Sequence, residues 1–254
     1  MRVCSLASGS SGNCLFVEDG DTRLLVDLGI SCRRISTLLK NIGVESDSIS
    51  GILFTHDHSD HCYGLDTFHK KHPDVPLYAN GGTADAIAAM TGVDDGWRVF
   101  ETAEPFQIGD VEVSPFSVPH DAADPVGYML NSLFVATDFG CATAPARYAL
   151  SRAKCAVLES NHDPILLEKS DRPLSLKSRI SGRSGHLSNQ DAAELLETAN
   201  PSQLQMVLLA HLSQECNAPH LAVEAMERAC AAIGRRDIAV VALEQDTPSA
   251  AFVF

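Results

Sequence analysis

The sequence predicts an α/β protein whose chemistry is gathered at strand ends, and three observations predict it. Short apolar runs alternate along the chain with segments whose apolar residues recur at helical spacing. Several of those runs empty straight into a histidine or an aspartate, the position at which α/β sheets assemble their sites. The densest such arrival is Thr55-His56-Asp57-His58-Ser59-Asp60-His61, directly after the apolar Gly51-Ile52-Leu53-Phe54.

Taken in order, Arg2-Val3-Cys4-Ser5-Leu6 reads as a first strand, and Ala7-Ser8-Gly9-Ser10-Ser11-Gly12-Asn13 turns the chain into Cys14-Leu15-Phe16-Val17. Two glycines give that turn unusual backbone freedom, and its hydroxyls, amide and N–H groups suit phosphate or carboxylate as well as an ordinary hairpin. A third strand, Arg23 to Val26, ends on Asp27, placed to support a metal-bound histidine from behind. Ser31 caps a helix with Ile35, Leu38, Leu39 and Ile42 on one face and Gly43 as its stop. Beyond the histidine cluster, Gly64 to His72 predicts a short helix carrying His69 and His72 on the surface. Pro76 to Ala79 predicts a strand and Thr83 to Met90 a helix.

Val99-Phe100 and Val111-Glu112-Val113 suggest further strands. Phe116 to Pro119 delivers His120, Leu133 to Thr137 delivers Asp138, and Gln205 to Ala210 delivers His211. Cys155 to Leu158 precedes Glu159-Ser160-Asn161-His162-Asp163 in the same manner. Ser188 with Asp191 forms a capping box for a helix carrying Leu195 and Leu196. A last helix from about Pro219 to Ile233, stopped by Gly234, leads to a strand over Ile238–Leu243.

The 254 residues, 45% of them hydrophobic, are enough for one substantial core, and with no linker the expectation is a single domain over residues 1–254. Nothing at the start resembles a charged segment followed by an apolar one, and no apolar stretch approaches the roughly 20 residues that span a bilayer. A cytoplasmic chain with no membrane partner and no obligate protein partner is expected. Eight cysteines without a CxxC pair are expected to stay reduced. The net charge of −14 excludes broad attraction to nucleic acid or anionic membrane, yet Arg172, Lys177, Arg179 and Arg183 form a local stretch free of Asp and Glu.

Imidazole nitrogen and carboxylate oxygen are donors that zinc, manganese and ferrous iron accept, and HxH in extended backbone places both rings on one side of the chain. His56, His120, Asp138 and His211 each stand beyond an apolar strand. With the cluster, they predict one dinuclear metal centre. Two metals about 3.5–4 Å apart can generate a hydroxide at neutral pH and stabilise the attacking and leaving oxygens of a phosphodiester. Asp60 is placed to serve the nucleophile as well as to ligate. His162 and His186 are candidates to protonate the leaving oxygen or bind the scissile phosphate, or else to support the ligands. Ser8, Ser10, Asn13, Asn161, Ser188 and Asn189, with Arg183 from the basic stretch, are candidates to receive a terminal phosphate.

In these residues the chain resembles the metallo-β-lactamase superfamily, where HxHxDH, a later His, an Asp and a last His occur in this order. The resemblance implies an αββα sandwich of two mixed sheets flanked by helices. It assigns His56, His58 and His120 to one metal, Asp60, His61 and His211 to the other, and Asp138 as the bridge. The serine-rich turn, Thr55 to His61, Ala136-Thr137-Asp138-Phe139-Gly140, Glu159 to Asp163, Gly185 to Asn189 and Ala210-His211-Leu212-Ser213 narrow the match to the YycJ/WalJ (VicX) branch. Cys216 departs from that branch, standing where asparagine is expected, either lining the site or buried beside it.

The resemblance implies a 5′-to-3′ DNA exonuclease with two divalent ions, zinc or manganese or else iron, and DNA bearing a 5′-phosphate as partner. The alternatives are a small-molecule ester or cyclic-phosphodiester hydrolase and a non-enzymatic regulatory member. Only 72 residues separate Asp138 from His211, too few for the inserted domain of the β-CASP nucleases.

Overall fold

The computed structural model describes residues 1–254 and divides them into two compact units. The first comprises Met1–Pro115, Ala122–Val126 and Glu244–Phe254, the second Phe116–Asp121 and Gly127–Leu243.

The first unit is laid down as β1 (Arg2–Ala7), β2 (Cys14–Asp19), β3 (Thr22–Val26), α1 (Cys32–Asn41), β4 (Gly51–Leu53), α2 (Ser59–Cys62), α3 (Leu65–Lys71), β5 (Leu77–Asn80), α4 (Gly81–Thr91) and β6 (Trp97–Phe100). A hairpin of β7 (Phe106–Ile108) and β8 (Val111–Ser117) follows. The strands β1 to β6 pair in chain order, antiparallel as far as β3 and parallel thereafter. The chain's last strand, Phe252–Val253, closes on β1. Ser31 caps α1 by accepting from Arg34 N, and Ile42, just past the helix, donates back to Leu39 O before Gly43 turns left-handed at φ 77°. Ile35 and Leu39 on its inner face join Phe16, Leu25, Ile52 and Phe68 in one buried cluster. Each such side chain removed from water contributes about 1.5–3 kcal/mol.

The second unit continues through β9 (Val126–Leu130), β10 (Leu133–Ala136), α5 (Ala144–Ser151), β11 (Cys155–Glu159), α6 (Pro164–Lys169), α7 (Leu174–Ile180), α8 (Asn189–Ala199), β12 (Met206–Ala210), α9 (Pro219–Ala232) and β13 (Ala239–Ala242). Strands β9 and β10 form an antiparallel hairpin, and β10, β11, β12 and β13 are parallel neighbours. Parallel pairing buries both faces, which is why Cys155 to Leu158 and Val207 to Ala210 read as unbroken apolar runs. Residues of α5, α8 and α9 pack with Phe134, Leu158 and Leu209 in a single core. The two mixed sheets flanked by helices agree with the fold expected from the sequence. No helix is long and apolar enough to cross a membrane.

Four helices, α2 and α5 to α7, and the strands β7, β9 and Phe252–Val253 escaped the sequence reading. The expectation that His69 lies on the surface fails, because His69 is buried, with Nε2 2.8 Å from Asp95 Oδ1. The Asp95 carboxylate, from the loop between α4 and β6, meets one ring nitrogen, while a carbon edge of the ring packs beside Gly96.

Candidate metal centre

Each unit carries its own set of candidate ligands, and each set is fixed by parallel strand pairing. In the first, Val26 of β3 is in register with Leu53 of β4, so Asp27 and Thr55 emerge side by side. Asp27 N donates to Leu53 O, and the residue takes a left-handed φ of 64°, unusual for a side chain other than glycine and typical of functional sites. Its carboxylate accepts from Thr55 N and Thr55 Oγ1, both at 2.9 Å, and its Oδ2 lies 2.8 Å from His61 Nδ1. Having given its proton to Asp27, the Thr55 hydroxyl is an acceptor toward His56 Nδ1 at 3.0 Å. The rings of His56 and His61 are 4.1 Å apart, and those of His56 and His58 4.7 Å.

Asp60 is held through its backbone. Asn13 N donates to Asp60 O at 2.8 Å, and a Cβ on Gly29 would lie 1.7 Å from that same oxygen, so glycine is obligatory there. The Asn13 side chain accepts from Gly9 N, and its Nδ2 is shared among Gly9 O, His61 Nε2 and, at 3.4 Å each, Asp60 O and Asp60 Oδ2. The amides of Gly9, Ser11 and Gly12 go to Asn13 Oδ1, Gln245 Oε1 and Gly9 O. The serine-rich turn thus points much of its N–H complement inward, leaving Ser10 exposed while Ser8 is buried.

In the second unit, Ala136, Leu158 and Leu209 are in register across β10, β11 and β12, which brings Asp138, Glu159 and His211 to one edge. Asp138 and His211 are again left-handed, at φ 57° and 55°. Glu159 is fully buried and organises the set. Its Oε1 accepts from Asp138 N at 3.2 Å, His186 Nδ1 at 2.9 Å and His211 Nδ1 at 3.1 Å, and its Oε2 accepts from Phe139 N and Leu187 N. Asp138 Oδ1 is 3.4 Å from His211 Nδ1 and 3.5 Å from His186 Nδ1. His120 directs Nδ1 to Gly185 O at 3.0 Å and Nε2 toward Asp138 Oδ1 at 3.9 Å.

Burial would raise the Glu159 carboxyl, but the charge and hydrogen bonds of His186 and the hydrogen bond of His211 outweigh it, and it is held well below the usual carboxylate range. Burial likewise opposes charge on His186, but Glu159 and Asp138 overcome it and push the imidazole up. Burial pushes His120 and His162 down, so both favour the neutral form.

The donors fit a divalent cation. A carboxylate, a backbone carbonyl or an already committed hydroxyl accepts from Nδ1 of His56, His61, His120 and His211, which fixes the proton there and leaves the lone pair on Nε2; on His61 that lone pair accepts from Asn13 Nδ2 at 3.0 Å, so a metal ion there would displace the amide. Within the second unit, donor atoms of Asp138, Glu159, His186 and His211 lie within 4.8 Å of one another.

The remaining sequence candidates have other local duties. Asn161 Nδ2 donates to His211 O at 2.9 Å, so it positions a ligand from behind. Ser188 caps α8 with Asp191, and Asn189 bridges Ser160 Oγ to Asn217. His162 is buried beside Ser188 and gives its carbonyl to Asn189 N. Arg183 is exposed. Cys216 is buried with Leu167 and Ile180, and its carbonyl accepts from Asp163 N. The sequence reading missed Glu159 and Asn217 as working residues. Glu159 carried a usable signal, since it ends an apolar strand as the ligands do.

Comparison with known proteins agrees with this geometry. The family described as beta-lactamase superfamily domain matches residues 22–212. The chain is 37% identical over 223 residues to exodeoxyribonuclease YycJ of Bacillus anthracis, covering 85% of this chain and 84% of that protein. It is 35% identical over 225 residues to exodeoxyribonuclease WalJ of Streptococcus pneumoniae, covering 85% and 83%. Among solved structures, the metallo-beta-lactamase fold protein YhfI from Bacillus subtilis superposes with a TM-score of 0.71 at 13% identity, over 98% of both chains, a likeness of fold. With a family match across most of its length and relatives aligned over most of theirs, the chain belongs to the metallo-β-lactamase superfamily, in its YycJ/WalJ branch.

Proposed function

We propose that the protein is a metal-dependent DNA exonuclease of 5′-to-3′ polarity that works as one hydrolase domain in the cytoplasm on strands bearing a 5′-phosphate. The observation that carries the reading is the tethering of Nδ1 on His56 and His61 in the first unit and on His120 and His211 in the second, which leaves the lone pair of each ring on Nε2, that of His61 now accepting from Asn13 Nδ2. The kinship with exodeoxyribonucleases supplies the substrate class.

On the order of motifs in the superfamily, His56, His58 and His120 would hold one divalent ion and Asp60, His61 and His211 the other, with Asp138 as a ligand common to both, and zinc or manganese would suit the donor set. When bound, such ions would supply Lewis-acid chemistry and charge stabilisation for phosphodiester hydrolysis. The chain's own groups do the rest. Asp60 orients the nucleophile by hydrogen bond. His186, whose Nδ1 is anchored on Glu159, offers Nε2 to the scissile phosphate or the leaving oxygen, with His162 as the further candidate. Ser8, Ser10 and Arg183 are the groups to receive a terminal phosphate, supported from behind by Asn13, Asn161, Ser188 and Asn189.

The test is hydrolysis of a 5′-phosphorylated DNA strand against its 5′-hydroxyl twin, with manganese, with zinc and with chelator, and with Asp138→Ala as control. Metal-dependent loss of nucleotides from the phosphorylated strand, abolished in Asp138→Ala, is the expected result. Protein with full metal content that leaves both strands intact but cleaves a small phosphodiester overturns the DNA reading. The net charge of −14 makes that the outcome to check second.

A further inference from the structure

The two short helices α6 and α7 stand between β11 and α8, and the proposed chemistry makes no use of them. Their inner residues Leu167 and Ile180 close on Cys216, with Leu176 packed alongside, forming a small core separate from the main one of the second unit. Their outer residues do the opposite of what a solvated face requires. Leu174 is 81% exposed and Ile165 56%, among the most exposed large apolar side chains in the protein.

Charge distinguishes the same segment. Residues 164–186 hold five Lys and Arg against two Asp and Glu, in a chain whose net charge is −14. Arg172 is engaged by Glu215, Arg179 by Asp121, and Lys177 donates to Glu168 O. Lys169 and Arg183 stay exposed.

The segment is also tied to the ligands of its own unit. The loop leaving α7 carries Gly185, whose carbonyl holds His120, and His186, which rests on Glu159. A Cβ on Gly140, two residues past Asp138, would lie 2.4 Å from Gly182 O and 2.5 Å from Arg183 O, so the backbone at Arg183 is seated directly against the Asp138 loop.

We infer that α6 and α7 form the docking surface for the DNA strand being degraded, taking unstacked bases on Ile165 and Leu174 and their phosphates on Lys169 and Arg183. Aliphatic side chains cover a base by apolar burial rather than by hydrogen bonding and so do not read sequence, which suits an enzyme that must process any strand, and flanking cations track the backbone. A uniformly acidic or purely apolar patch would fit a protein partner better. This inference rests on the reading of the chain as a DNA exonuclease and adds the place where the strand is held.

The experiment measures anisotropy of a fluorescent single-stranded oligodeoxynucleotide in chelator, so that binding is read without turnover. Ile165→Ser with Leu174→Ser removes the apolar area that would cover the bases and is expected to weaken binding about tenfold with an unchanged unfolding midpoint. Lys169→Ala with Arg183→Ala is expected to reduce the slope of log affinity against log salt by about 0.7 for each cation removed. Wild-type affinity in the Ile165→Ser, Leu174→Ser protein overturns the inference. So does a wild-type dimer in sedimentation that these two substitutions dissolve while strand affinity stays the same, since the surface then joins two copies. If wild-type protein degrades DNA while the variant binds normally, the surface inference falls and the exonuclease reading stands. If the strand binds through this surface but no metal supports its cleavage, the converse holds.

Discussion

The carboxylate of Asp27 lies 2.8 Å from Nδ1 of His61 and at the same time holds the backbone and hydroxyl of Thr55, which in turn holds His56. One side chain at the end of β3 therefore sets the tautomer of two candidate ligands, His56 beyond β4 and His61 in α2.

Asp27→Asn tests that linkage. The amide keeps the size but replaces an anionic acceptor, and roughly 10–100-fold weaker metal affinity is expected. Competition with a chelator, read by metal content at equilibrium, checks it. Affinity equal to wild type sinks the assigned role.

Glu159→Ala removes the acceptor shared by three backbone amides and two imidazoles in a fully buried site. A loss of about 3–5 kcal/mol is expected, as for other buried charge networks that lose one partner. Urea unfolding of metal-free protein measures it, and Glu159→Gln, which keeps an acceptor oxygen, is expected to lose less.

Gly29→Ala and Gly43→Ala separate steric demand from backbone strain. At Gly29 the new Cβ would meet Asp60 O, whereas at Gly43 it meets nothing within 4 Å and faces only a φ of 77°. Gly29→Ala is expected to lower metal content. Gly43→Ala is expected to leave it intact and cost about 1 kcal/mol of stability. Elemental analysis and thermal unfolding read the two effects.

Thiol labelling reports the packing of both units. Burial pushes the Cys155 thiol up to about 12 and that of Cys230 up to about 11, so at pH 8 almost none of either is thiolate. Cys141 alone among the eight is not buried. Brief iodoacetamide treatment of native protein is expected to label Cys141 first, and all eight cysteines only after unfolding, as read by mass spectrometry. Early labelling of Cys155 contradicts the packing described for β11.

The sequence by itself determined the α/β alternation and the strand ends at which His56, Asp138 and His211 stand, because apolar periodicity and the polar residue that breaks it are local signals. It also determined the capping box of α8 and the stop of α1 at Gly43, both readable within a few residues. Only the tertiary structure decided what each polar residue faces. Asn13, Asn161 and Asn189 read as phosphate ligands by composition, yet they are committed to Gly9, His211 and Ser160. Glu159 and Asn217 read as ordinary strand and loop residues, yet one gathers two histidines and the other ties Asn189 to the backbone of Ser160 and Asn161. The physical reason is register. Parallel pairing of β10, β11 and β12 brings residues 138, 159 and 211 to one edge. A hydrogen bond between side chains so far apart in the chain exists only once those strands are aligned.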